Sequence, residues 1–233
     1  MWTWTLLPVL LTVTGIVGTW IVCAVSLSND SVNVTVKFPF ISQCAVRQPE
    51  SSLFCVFCNV WTFLIVWVVV IRYQLVRELS DSCCRGNLSG LVLGLLAAAG
   101  VTLLGSFPMR VFFLMHLLGA YLAFFVGVAF FWVQLWLTYQ AEPSHDRCWT
   151  GPLRASLCSL CTSCLLGMFV LKAVGLRDLA AMSEWAMVFL FFLLFGTFAI
   201  EFRHIHRCHA TVLMQGGSVG GSDDVAVGWR PVV

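Results

Sequence analysis

Six long apolar stretches, separated by short polar breaks, run through this chain almost from end to end. A helix needs about 20 apolar residues in a row to cross a bilayer. The stretches at Trp4–Leu27, Leu53–Ile71, Leu88–Ser106, Val111–Leu137, Leu153–Leu171 and Leu179–Ile200 meet that length. In hydrocarbon the backbone must satisfy its own hydrogen bonds, and only helices and closed barrels do so. Continuous apolar runs, without the alternation of barrel strands, predict helices. The expected fold is therefore an all-α integral membrane protein, a six-helix transmembrane bundle spanning residues 1–202. Residues 203–233 are expected to form a cytosolic tail, largely disordered beyond about residue 214, where Gly, Ser and Asp dominate.

Composition narrows the function classes. Of the 233 residues 60% are hydrophobic and 10% charged, and no polar stretch is long enough to fold as a separate soluble domain. Any active site would have to be assembled from the helices. A net charge of +2 without a basic run gives no footprint for a nucleic-acid partner.

Charge sets the expected orientation. With the N-terminus cytosolic, eight arginines (72, 77, 85, 147, 154, 203, 207 and 230) fall on the cytosolic side. Five basic residues (37, 47, 110, 172 and 177) fall opposite. This positive-inside bias predicts both termini cytosolic. The first loop carries two N-x-[ST] acceptors, at Asn29 and Asn33, which suit an extracytosolic, glycosylated loop. A third, at Asn87, lies on the cytosolic side and is expected to be unused. The first stretch lacks a basic n-region and exceeds the length of a signal-peptide core, so it reads as a retained span.

Polar residues inside the spans are costly and normally face the bundle interior or one another. Asn59, His116 and Glu184 lie five or six residues from the outer ends of the second, fourth and sixth stretches, roughly 8 Å deep at ~1.5 Å per residue. The matched depth predicts one inward-facing polar cluster; the alternative is that each snorkels or bonds a nearby backbone carbonyl. At the opposite boundary, Arg72, Tyr73, Tyr139, Arg154 and Glu201 read as a girdle of interfacial anchors. Glu201 there is within reach of Arg72 or Arg154. Gly90-x-x-x-Gly94-x-x-x-Ala98 is a small-residue ladder that permits close helix contact, expected within the bundle.

The chain has eleven cysteines. Cys158, Cys161 and Cys164 recur every third residue of an apolar helix and read as small packing residues. Cys83, Cys84 and Cys148 sit near the cytosolic boundary as candidates for S-palmitoylation. Cys44 in the outer loop has Cys23 and Cys55 as potential partners, or stays a free thiol. His204, His206, Cys208 and His209 in the tail read as part of a basic juxtamembrane collar rather than a metal site.

The order and spacing of further residues resemble a known family, the damage-regulated autophagy modulator (Frag/DRAM/Sfk) family, and within it the transmembrane-150 branch. The resemblance is carried by Leu6-Leu7-Pro8 with Gly15, Gly18 and Trp20, by Ile41-Ser42 before Pro49-Glu50, and by Asn59 and Arg72-Tyr73. It continues through Phe107, His116 with Gly119-Ala120, Tyr139-Gln140, Glu184-Trp185 and Glu201-Phe202. Ala45 and Ser52 depart from the pattern, where Gly and Cys are common, which puts a family-type disulfide across the outer loop in question. The resemblance implies a non-enzymatic membrane regulator that raises autophagic flux and cell survival. It implies a place in the plasma membrane, endosomes, lysosomes or autophagosomes, with no cofactor. Expected partners are the bilayer and unidentified membrane or cytosolic proteins. A scaffold that positions a phosphatidylinositol 4-kinase is the alternative reading. A channel subunit is disfavoured, because the fourth stretch has only His116 and Gln134 as strongly polar members and no polar stripe.

Overall fold

The computed structural model describes residues 4–79, 83–140 and 147–203. All six apolar stretches are helical. α1 is Leu6–Ser28, a short α2 is Ile41–Cys44, and α3 is Glu50–Leu79. α4 is Cys84–Ser106, and the fourth span divides into α5 (Phe113–Tyr121), one π-turn (Leu122–Val126) and α6 (Gly127–Gln140). α7 is Arg147–Ala173, and the last span is α8 (Arg177–Gly196) continued by α9 (Phe198–Phe202). The helices overrun the apolar stretches at several ends. α3 passes Ile71 to reach Leu79, since Gln, Leu, Arg and Glu are good helix formers once the chain leaves the apolar zone.

Local chemistry explains the tightest connection. α7 and α8 are joined through Gly175 at φ +87°, a conformation only glycine adopts freely. The amide of Leu176 donates to Leu171 O at 2.9 Å, and that of Gly175 to Lys172 O at 3.2 Å. These bonds close the helix in the manner of a Schellman cap.

The spans contact one another in chain order around a ring. α1 packs on α3, α3 on α4, α4 on α5 and α6, α6 on α7, α7 on α8, and α8 back on α1. Burial is uneven: half of the last span's apolar window is buried but only 17% of α7's, so α7 is the peripheral member. Large apolar side chains that stay exposed, among them Val13, Phe63, Leu114, Leu118, Val170 and Leu193, point away from the ring. Such a belt is what lipid covers. Toward the tail end the ring is filled by aromatics: Phe130, Phe131, Phe195 and Phe198 are buried, with Phe131 and Phe195 centroids 4.8 Å apart.

The small-residue ladder packs α4 inside the bundle as expected. A Cβ on Gly90 would lie 2.7 Å from Gln134 Nε2, and one on Gly94 would lie 2.7 Å from Val69. The closest backbone approach is further along. A Cβ on Gly100 would lie 2.4 Å from the Ala123 amide nitrogen, and one on Gly119 would lie 2.5 Å from that of Leu104. The π-turn sits at this crossing, where the fourth span runs nearly backbone-on-backbone against α4.

Candidate functional site

Two polar constructions stand at opposite ends of the ring. At the tail end, Arg72 from α3, Arg154 from α7 and Glu201 from α9 meet. Arg72 Nη1 is 2.9 Å from Glu201 Oε2, and Arg154 Nη1 is 3.2 Å from Oε1. Gln134 and Thr138 lie on one face of α6. Gln134 Oε1 accepts from Arg72 Nε at 3.2 Å, while the Thr138 hydroxyl accepts from Arg154. Thr197 Oγ1 accepts from Arg154 Nε and Nη2 at 3.1 and 3.0 Å. Both guanidinium groups also approach the Phe198 ring, at 5.8 and 4.6 Å.

This corrects the reading of Arg72, Arg154 and Glu201 as interfacial anchors. Arg154 is 0% exposed, Arg72 3% and Glu201 8%, so they form a buried charge network joining the second, fifth and sixth spans. The physical reason is that Gln134, Thr138, Thr197 and Phe198 supply enough acceptors and π-surface to hold two cations on one carboxylate. Pairs four residues apart, Gln134/Thr138 and Thr197/Glu201, were the sequence signal for it. Tyr139 is exposed, with its ring 5.4 Å from the Arg147 guanidinium. Tyr73 is half-buried, and its carbonyl accepts from Asn87 Nδ2 at 2.8 Å.

At the other end, the expected Asn59–His116–Glu184 cluster does not form. Asn59 is exposed and donates to Cys55 O, one turn back, at 2.8 Å. His116 Nδ1 donates to Phe107 O at 2.9 Å. Glu184 Oε2 accepts from the Ile41 amide at 3.3 Å. Each is satisfied by backbone, because depth matches on three helices do not set the rotation of those helices. Glu184, with Trp185 Nε1 donating to Pro39 O at 2.9 Å, instead clamps the loop around α2 onto α8. Arg177 donates to Phe38 O at 3.0 Å and to Gln43 Oε1, which completes that clamp.

His116 and Glu184 are still related, since both line one large cavity. It encloses about 780 Å³ inside the ring, with an overwhelmingly apolar wall, within the range of small-molecule sites between bundle helices. Its deep wall includes Ile65, Phe130 and Phe195, and its polar mouth includes Gln43, Lys172 and Arg177. The cavity exists because α5 packs on α4 and has no substantial contact with α7 or α8. The outer half of the ring is therefore open between α5 and α7.

The loop acceptors differ from each other. Asn33 is exposed, and its Oδ1 accepts from Thr35 Oγ1 at 2.6 Å. Asn29 is exposed, but its Nδ2 donates to Glu50 Oε1 at 3.0 Å, alongside Ser31 Oγ at 3.0 Å. Asn87 is buried between α3 and α4. Cys44 is buried with its thiol hydrogen-bonded to that of Cys23, and this contact together with burial pushes the Cys44 thiol pKa up. Cys158 and Cys161 are buried packing residues. Cys84 and Cys148 are exposed, whereas Cys83 is buried beside Val76 and Leu137. A lipidated Cys83 would have to leave that packing, which corrects its standing beside the other two. Among the described residues no group of three or more His, Cys, Asp or Glu side chains is placed to hold a metal ion. The tail residues His204, His206, Cys208 and His209 and the tail's expected disorder lie outside the described residues.

Residues 3–205 match the family model described as Frag1/DRAM/Sfk1/Cwh43P N-terminal domain. The chain is 48% identical over 225 residues to the modulator of macroautophagy TMEM150B of Danio rerio, covering 97% of each chain. It is 38% identical over 212 residues to the Homo sapiens protein of that name, covering 89% of this chain and 90% of the relative. It is 33% identical over 230 residues to transmembrane protein 150A of Xenopus laevis, covering 87% and 84%. No solved structure matches the chain.

Proposed function

Because the chain belongs to the Frag1/DRAM/Sfk1/Cwh43P family, we propose that it is a non-enzymatic multispan membrane regulator of macroautophagy. The observation that carries this reading is the near full-length match to relatives named modulator of macroautophagy, at 38–48% identity. The ring of six spans and its buried charge network are consistent with a rigid membrane body rather than a catalytic cleft. In this reading both termini face the cytosol and the α2 loop faces the lumen or exterior. The protein acts at the plasma membrane, endosomes or lysosomes and autophagosomes, where it raises autophagosome accumulation and flux and supports survival under stress.

The test is to remove the protein from cells that express it and restore either the wild type or the Gly119→Leu variant, whose helix crossing is blocked. Turnover of a lipidated autophagosome marker is followed with and without inhibition of lysosomal acidification. Flux that falls on removal and returns only with the wild type supports the proposal. Flux that is unchanged on removal, under both fed and starved conditions, overturns it.

A further inference from the structure

The cavity has an occupant that its chemistry selects. Below its polar mouth the wall is apolar down to Phe195, and on one side it is flanked by α5 and α7, which share no substantial contact. The side opening lies between α5 and α7. It is bounded below by Phe125 and Phe169, whose centroids are 5.5 Å apart, with Tyr121 stacked on Phe125 at 5.0 Å. Leu117 of α5 and Phe169 of α7 line the cavity and are also exposed on the outer surface. This apolar seam is where an acyl chain would reach the cavity from the bilayer.

The mouth adds charge. Lys172 and Arg177 both border it, and both sit near the Phe40 ring, at 5.9 and 5.3 Å. Arg177 has Asp178 Oδ1 at 3.3 Å, and Glu184 deeper in the wall accepts the Ile41 amide. Lys172 makes no ion pair among the described residues and is exposed at the rim. An ammonium at the lip of an apolar cavity, at the height where lipid headgroups lie, complements a phosphate.

We infer that this cavity is a binding site for a membrane phospholipid, with one acyl chain lodged in the ring between α5 and α7 and its phosphate held at Lys172, while Arg177 stays engaged by Phe38, Gln43 and Asp178. Glu184 and His116 are wall residues: Glu184 Oε2 accepts the Ile41 amide and the carboxyl group interacts electrostatically with Lys172, while His116 Nδ1 donates to Phe107 O. The site does not depend on the role in autophagy, and its test uses no cellular readout.

The experiment uses the full chain in nanodiscs with two photoactivatable probes that share the same diazirine-bearing acyl chain. One is a phosphatidic acid and the other a diacylglycerol, so they differ only in the phosphate. The expected result is cross-linking of the phosphatidic acid probe to Leu117, Met168 or Phe169, competed by unlabelled phosphatidic acid. Ala120→Trp fills the cavity and should lower that labelling about tenfold, while Leu118→Trp on the lipid face of α5 should leave it within about twofold, a decade being about 1.4 kcal/mol. Lys172→Glu should lower labelling by the phosphatidic acid probe at least about threefold and leave the diacylglycerol probe unchanged, which a misfolded variant would not do. Cross-links confined to the lipid-facing belt and insensitive to Ala120→Trp would overturn the site. Equal labelling by both probes, indifferent to Lys172→Glu, would overturn the phosphate selection.

Discussion

Glu201 shows how one side chain can hold a membrane fold together. It faces two buried cations, so the network carries one net positive charge. Breaking a buried pair by removing one partner costs about 3–5 kcal/mol, because the survivor is left uncompensated. Glu201→Gln strands both arginines and should lower the thermal unfolding temperature sharply. Arg72→Met leaves the Arg154–Glu201 pair neutral and should be clearly milder; thermal melts of the two purified variants compare them directly, and an equal loss would contradict the network. Cys44 makes a second prediction at this scale. Its thiol is buried and its pKa is raised by Cys23 and by desolvation, so little thiolate forms near neutral pH. In folded protein, maleimide should modify Cys84 and Cys148 well before Cys44, and unfolding should remove the difference. Peptide mapping of timed samples reads the order.

Between elements, contact geometry replaces charge as the controlling quantity. The α4–α5 crossing brings backbone to backbone at Gly100 and Gly119, so no side chain can yield when a Cβ is added. Gly119→Leu should therefore abolish accumulation of monodisperse protein in size-exclusion chromatography. Gly167→Ala on α7, with nothing within 4 Å, should be neutral or slightly stabilising in a helix, by up to about 1 kcal/mol. The pair separates a packing requirement from a general dislike of substitution. The tether of α2 to α8 is a further element-level contact. Glu184→Gln keeps an acceptor for the Ile41 amide and should leave the loop in place. Glu184→Leu orphans that amide, which costs about 1–3 kcal/mol, and should raise hydrogen exchange over residues 38–45.

For the molecule as a whole, topology is the property most directly open to test. Asn33 and Asn29 are both exposed, but the Asn29 amide is held by Glu50, and Asn87 is buried between two helices. Glycosidase treatment should shift the mobility of the wild type and of Asn29→Gln and Asn87→Gln, but not that of Asn33→Gln. A glycan at Asn87 would reverse the orientation. The six spans, their helical state and their approximate limits were legible in the sequence, because apolar run length and backbone satisfaction are local properties of a chain in lipid. So was the ladder at Gly90, Gly94 and Ala98, since close packing needs small residues wherever the partner lies. Pairing of Glu201 with an arginine was legible as a reach between residues at one boundary, but its burial was not, since that depends on acceptors from α6 and on Thr197 being turned toward Arg154. The proposed meeting of Asn59, His116 and Glu184 failed for the same reason. Sequence position sets the depth of a residue along a helix, but its azimuth is set by the neighbouring helices. The open seam between α5 and α7, and with it the cavity, came only from the tertiary structure. The fourth span is drawn onto α4 by the glycine crossing at its π-turn, and no local pattern records the space this leaves on its far side.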